Sequence, residues 1–229
     1  NLILLFIISF TNSFSQDRKG SNVVNSDSIV YANALANADY VTAITATYYM
    51  MAKNPQKYID YQDSLCALYY ISKAYANCII SGSKVLAAQP DNLPVMEFMG
   101  ISERMIGDTK TALEIYEKLY SKTGLMKHAY YIAEMQYNLQ RYVECLSTLD
   151  KILTSSKSQE EKIQVIVNQS QFQIVSLKAA AYNMQGVVYK QTLKLEDAKK
   201  SFNNALAIEK DFTLASSNLE ALNKKPTVK

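Results

Sequence analysis

The sequence has no tryptophan and a single histidine, His128. A multi-histidine metal site is therefore excluded, and a hydrolase-type nucleophile and base would have one imidazole to draw on. Glycine (6) and proline (4) are scarce among 229 residues. That scarcity disfavours a turn-rich β-sandwich or barrel, and six scattered glycines do not assemble a phosphate-binding loop. Cysteine occurs three times, at Cys66, Cys78 and Cys145, an odd number with no CxxC spacing. Neither a disulfide framework nor a zinc site is expected from it. The HExxH and GxSxG motifs are also missing, so no cofactor, metal or catalytic residue is assigned and the chain is read as a non-enzyme. Charge of one sign is lacking as well. Against 24 Lys+Arg stand 21 Asp+Glu, a net +3. The densest basic group is the tail at 223–229, with Lys224, Lys225 and Lys229. A nucleic-acid partner, which needs a concentrated basic face, is not expected.

The longest apolar stretch, LILLFIISF at residues 2–10, is far short of the roughly 20 residues that span a bilayer. It has the length of a signal-peptide core. Ser13-Phe14-Ser15 supplies a small-x-small cleavage pattern, with Gln16 as the mature start. The expected organisation is a signal peptide over 1–15, a polar flexible linker over 16–25 and a folded domain over 26–222. No membrane span remains after cleavage, and no cysteine follows the stretch to take a lipid. The competing reading is a buried helix. The charged region that precedes such signals is not in the sequence, which begins at Asn1, and a truncated start is expected. Export to the periplasm or beyond implies an oxidising compartment, so the three thiols are expected to be free and buried.

What is abundant is apolar and aromatic: 48% hydrophobic residues and 17 tyrosines. Alanine, leucine, lysine and glutamate at helical spacing point to an all-α chain. They also recur. Tyr182, Gln185-Gly186, Tyr189, Ala198, Phe202 and Ala205 form the clearest copy of a pattern. Met96, Met99-Gly100, Gly107, Ala112 and Tyr116 form another, as do Leu65-Cys66, Tyr69, Tyr75, Cys78, Val85 and Pro90. Ile132-Ala133, Tyr142, Cys145, Leu149 and Ile152 form a fourth, and Asp39-Tyr40, Ala43, Met50 and Pro55 a weaker first. Taking the small residue of each second helix as a ruler, Ala43, Cys78, Ala112, Cys145 and Ala198 are separated by 35, 34, 33 and 53 residues. A fixed period of this size marks a repeat architecture.

The pattern resembles the tetratricopeptide repeat, whose period is 34 residues. Gln185 stands where the family has Leu, and Lys210 where it has Pro. The resemblance implies an α-solenoid of about five antiparallel helix pairs. Small residues would let paired helices approach, and Tyr69, Tyr116, Tyr189 and Phe202 would fill the space between copies. Cys66, Cys78 and Cys145 fall on small-residue packing positions. Asp39, Gly107-Asp108 and Asn138 fall at turns, and 214–222 suits a closing helix.

The 53-residue step places an insertion near 160–178. Ile163, Val165 and Val167, then Phe172 and Ile174, alternate with their neighbours around the polar Asn168-Gln169-Ser170-Gln171. Period-2 alternation with β-branched residues favours a β-hairpin over 162–177, with extension of the flanking helices as the alternative. Ile163, Val165 and Val167 are assigned to one strand face, with Phe172 and Ile174 from the other strand, and the hairpin is expected over one end of the groove. His128 is expected to be solvated at a helix start. The pairs Glu160-Glu161 and Glu196-Asp197 are read as helix-start charges.

The resemblance also implies that a ligand lies in a concave groove lined by first helices. The groove residues in this register are Asp63, Tyr70, Glu97, Arg104, Tyr130, Tyr137, Asn183 and Lys190. Asp63, Glu97, Tyr130 and Asn183 stand where relatives that clamp a peptide carboxylate carry lysine, so that clamp is not expected. A face of mixed charge and many tyrosines suits an extended peptide or a partner helix. The expected function is an exported protein-binding module or adaptor, with a scaffold subunit of a cell-envelope assembly as the alternative.

Overall fold

The computed structural model describes residues 26–168 and 171–223. The expected signal peptide, linker and basic tail therefore lie outside the described residues, apart from Asn223. Among the described residues there are eleven α-helices and one β-hairpin. They form two compact units, 1–56 and 57–229.

The first unit contains α1 (Ser26–Ala36) and α2 (Tyr40–Lys53). Asp39 caps α2, its carboxylate accepting from the Thr42 amide at 3.1 Å, and Ala43, Ala46, Thr47 and Met50 form its buried stripe. An exposed ion pair joins Lys53 to Asp27 at 2.6 Å.

The second unit is a stack of helix pairs: α3 (Tyr58–Ile71) with α4 (Tyr75–Ala88), α5 (Leu93–Ile106) with α6 (Thr109–Thr123), and α7 (Met126–Asn138) with α8 (Tyr142–Thr154). The hairpin follows, as β1 (Lys162–Asn168) and β2 (Gln171–Ser176), and then α9 (Leu177–Gln191), α10 (Leu195–Ile208) and α11 (Thr213–Asn223). Side-chain caps start α5, where Asn92 accepts from Val95 N at 3.2 Å, and α6, where Asp108 accepts from Thr111 N at 3.1 Å. Each satisfies an amide that the first helical turn leaves without a carbonyl.

The ruler of small residues holds. Ala43, Cys78, Ala112, Cys145 and Ala198 each sit in the first turn of a second helix, and each is completely buried. The turn before each second helix is also the same five times over. Ala38, Lys73, Gly107, Gln140 and Leu193 all adopt positive φ, at 54°, 61°, 89°, 60° and 60°. The next amide in every case bonds back five residues, as in Asp108 N to Glu103 O at 2.9 Å and Lys194 N to Tyr189 O at 2.9 Å. This is the Schellman close of a helix, which normally places glycine at the left-handed residue. Only Gly107 obliges. The other four turns hold a side chain in a region that costs an L-residue about 1 kcal/mol.

Glycine matters elsewhere for space. A Cβ on Gly186 would stand 2.5 Å from the Phe202 ring, and one on Gly100 3.1 Å from Ile115. Phe202 and Tyr116 are fully buried because these positions let α9 meet α10 and α5 meet α6 closely enough to enclose a ring.

The hairpin is antiparallel, pairing Ile163 with Val175, Gln164 with Ile174 and Ile166 with Phe172. Its inner face is Ile163, Val165 and Val175, which join α7, α8, α9 and Phe212 in one core. Phe172 and Ile174, grouped from the sequence with Ile163, Val165 and Val167, are instead 60% and 62% exposed, beside Ile166 at 66%. The register explains the correction. Gln173, not Ile174, lies opposite Val165, so Phe172 and Ile174 fall on the outer face with Ile166. Glu160 and Glu161 also differ from their expected role. They precede β1 rather than opening a helix, and the Glu161 carbonyl accepts from Leu177 N at 2.8 Å. Glu196 and Asp197 do lie in the first turn of α10.

Candidate partner-binding face

First helices α3, α5, α7 and α9 are followed each time by a second helix, so side chains one period apart lie on a common face. The structure joins four of the eight predicted groove residues, Asp63, Tyr70, Glu97 and Arg104, through side-chain contacts between one first helix and the start or body of the next. From α3, Tyr70 stacks on Phe98 of α5, with ring centroids 4.8 Å apart. Asp63 accepts from Asn92 Nδ2 at 3.3 Å, while its Oδ1 is buried without a hydrogen-bond partner. Burial pushes the Asp63 carboxyl above its ordinary value, against the Asn92 bond.

The α5–α7 junction is the most heavily joined. Arg104 pairs with Glu134 at 2.7 Å and lies 4.9 Å from the centroid of the Tyr131 ring. Burial disfavours the Arg104 cation, but the charge and hydrogen bond of Glu134, with Tyr116 and Tyr131, together outweigh this and raise its pKa. Glu97 meets Lys127 at 3.2 Å and His128 Nε2 at 2.7 Å. Burial opposes ionisation of Glu97, yet the His128 bond and the Lys127 charge prevail and hold its carboxyl below the usual range.

His128 was expected in solvent and is instead 1% exposed. Its Nδ1 lies 2.8 Å from the Thr123 hydroxyl. Leu125 links α6 directly to α7, so His128 falls within the first turn of α7 and turns towards α5 rather than outward. A buried imidazole needs partners on both nitrogens, and Thr123 and Glu97 supply them. The Tyr116 ring is 6.4 Å away, its hydroxyl buried without a hydrogen-bond partner. Burial raises the Tyr116 and Tyr131 phenols well above their ordinary values.

The other predicted residues stand apart from this cluster. Tyr130 is buried, with its ring edge-on to Tyr131 at 6.3 Å, and Tyr137 tilts against Tyr142 of α8 at 5.8 Å. Asn183 accepts from Asn218 of α11 at 2.9 Å. Lys190 is exposed near the end of α9. The sequence reading does not place Phe98, Tyr131 or His128 on this face. The available signal was charge of opposite sign 30 residues apart, Glu97 with Lys127 and Arg104 with Glu134. That is one period less one helical turn, which places residues of adjacent first helices side by side.

The hairpin packs on α9 and is anchored at one edge of the stack. Lys162 pairs with Glu209 at 2.7 Å, Ser176 N donates to Glu209 at 2.9 Å, and Gln173 bonds both Asp211 O and Thr213 N. It is fastened to the turn between α10 and α11, along the edge where second helices end. A shallow cleft there is lined by Val167, Phe172, Gln173 and Thr213. Among the described residues no three His, Cys, Asp or Glu side chains are grouped to hold a metal ion.

No protein-family model and no curated protein matches the sequence. Solved structures do resemble the fold. YrrB, described as a TPR protein with an unusual peptide-binding site, has a TM-score of 0.67 at 14% identity, covering 92% of this chain and 97% of its own. MamA has a TM-score of 0.63 at 15% identity, covering 80% and 90%. A MamA fragment from Desulfovibrio magneticus RS-1 has a TM-score of 0.57 at 13% identity, covering 72% and 83%. With the five equivalent turns and the conserved spacing of small residues, these likenesses establish that the chain has the tetratricopeptide-repeat fold.

Proposed function

We propose that this chain is an exported protein-binding module that captures a peptide or partner protein on the face formed by α3, α5, α7 and α9, without catalysis. The observation that carries the reading is the α5–α7 junction. Half-buried Arg104, Glu97 and Glu134, together with Tyr70, Phe98 and Tyr131, present oriented polar groups and aromatic surface on adjacent helices. Such a mixture suits an extended backbone with occasional apolar side chains, because aromatics supply area and fixed charges supply register. The likeness to YrrB, whose description names a peptide-binding site, supports the same use of the fold. Export rests on the apolar stretch at 2–10 and the Ser13-Phe14-Ser15 pattern. No helix among the described residues is long and apolar enough to cross a membrane.

The test is affinity capture from the native cell envelope, comparing the wild type with Tyr70→Ala/Arg104→Ala after both give the same helical circular dichroism. Loss of the captured protein in the variant is the expected result. Equal capture would remove the face from recognition. A second reading, a scaffold subunit of an envelope assembly, is favoured by the outer hairpin surface of Ile166, Phe172 and Ile174. It expects Phe172→Ser/Ile174→Ser, rather than the face variant, to release the chain from a large complex.

A further inference from the structure

In four helix pairs a small residue of the first helix is followed 12 positions later by another small residue, in the second. The pairs are Gly100 with Ala112, Ala133 with Cys145, Gly186 with Ala198, and Cys66 with Cys78. Three pairs contain at most one thiol, and there Cys145 Sγ donates to the Ala133 carbonyl at 3.2 Å. In the fourth pair both positions are cysteine. Their sulfurs are 3.4 Å apart and both residues are completely buried. A disulfide needs about 2.05 Å between sulfurs and Cβ atoms roughly 3.5–4.5 Å apart. A site whose architecture already calls for minimal side chains on both helices brings the Cβ atoms close. What remains is a short closure of the two sulfurs towards each other.

We propose that Cys66 and Cys78 are a dithiol–disulfide couple that, when oxidised, staples α3 to α4. The oxidant is a small-molecule disulfide. The Cys78 thiolate attacks one of its sulfurs, forming a mixed disulfide and releasing one thiolate. Cys66, deprotonated, then attacks the Cys78 sulfur and expels the second. The protein loses two electrons and two thiol protons, and the reagent gains both as two free thiols. The two thiols are interchangeable in these roles, because the contact between them exists only in the docked pair. Because neither sulfur is exposed, exchange takes place while the pair is open or before it docks. The docked, reduced protein resists it. The staple closes a short loop, and Asp63 and Tyr70 ride on the stapled helix.

The experiment is to unfold the full chain under reducing conditions and refold it in a buffer of oxidised and reduced glutathione. The sample is then quenched with acid, its remaining thiols alkylated in denaturant, and the product digested with trypsin. Cleavage at Lys57, Lys73 and Lys84 separates the two cysteines. The expected product is peptide 58–73 disulfide-linked to peptide 74–84, with Cys145 alkylated. Its melting temperature should exceed that of the reduced protein by about 5–10 °C, the gain typical of such a loop, and dithiothreitol should abolish the rise. Cys66→Ala, which places at this position the small residue that Ala133 supplies in its own pair, should show neither the linkage nor the rise. Alkylation of both Cys66 and Cys78 after oxidative refolding overturns the proposal. So does linkage of Cys145 to either one as the main product, or an identical melting temperature for the oxidised and reduced forms.

Discussion

The stacked helix pairs and the hairpin set among them bury apolar surface by different means. In the pairs one local geometry repeats. A left-handed turn residue and a small residue in the first turn of the second helix recur at Lys73, Cys78 and further copies, with a buried ring four residues on at Tyr116 and Phe202. Within the second unit each pair leans on its neighbours. The hairpin repeats nothing. It buries Ile163, Val165 and Val175 on one side and leaves Ile166, Phe172 and Ile174 outside. In the pairs, tolerance to change is set by close approach between backbones. In the hairpin it is set by which face of a two-sided ribbon a residue occupies. Substitutions should expose this contrast.

The largest effect is expected inside the repeat. Gly186→Ala drives a methyl into the Phe202 ring, which is fully buried and has nowhere to swing. A loss of about 1–3 kcal/mol or more is expected in urea unfolding, and Gly186→Leu should lose more. An unchanged midpoint would mean that α9 and α10 do not meet there. Next comes the inner hairpin face, where Val175→Ala, at a site 1% exposed, should cost about 1–2 kcal/mol.

The face between α5 and α7 should then show itself through pH. The Glu97 carboxyl is depressed in the folded state. Its stabilising contribution is therefore present above the unfolded value of about 4.5 and lost as pH falls through the folded value. Glu97→Gln should cost about 1 kcal/mol at neutral pH, because the pair is only half-buried, and should flatten the acid limb of a stability–pH curve. A variant that keeps the wild-type acid limb would assign that limb to other carboxylates.

Leu193→Gly should be stabilising by about 0.5–1 kcal/mol. It relieves a positive φ of 60° at an exposed turn, partly offset by the added freedom of glycine in the unfolded chain. Smallest of all, Phe172→Ser/Ile174→Ser on the outer hairpin face should shift stability by no more than about 0.5 kcal/mol. A large loss there would mean that the ribbon's two faces are not as different as their exposure.

The helix pairs were legible because close packing leaves a mark on residue size. Ala43, Cys78, Ala112, Cys145 and Ala198 gave the register before any coordinate did. The hairpin was legible as a hairpin because its strands alternate, but its facing was not. Alternation fixes each strand to within a one-residue slip, and only the pairing of Val165 with Gln173 decides which side Phe172 takes. The face was half legible. Charged and aromatic positions could be placed on it, but His128 was misjudged because a helix start usually looks outward. Here its partner is Glu97, which lies 31 residues away in the chain.

The side chain of Gln173 spans from β2 to the start of α11, accepting from Thr213 N at 3.0 Å and donating to Asp211 O at 2.6 Å. A linear stack frays from its ends, since a terminal helix has a neighbour on one side only. Here α11, the last helix among the described residues, is latched at its first turn by a ribbon that enters the chain before α9. Opening of α11 must therefore wait for the ribbon to let go. The amide of Thr213 should exchange with solvent in step with the amides of β2, and more slowly than those at the far end of α11, giving the last helix a frayed tail and a protected root.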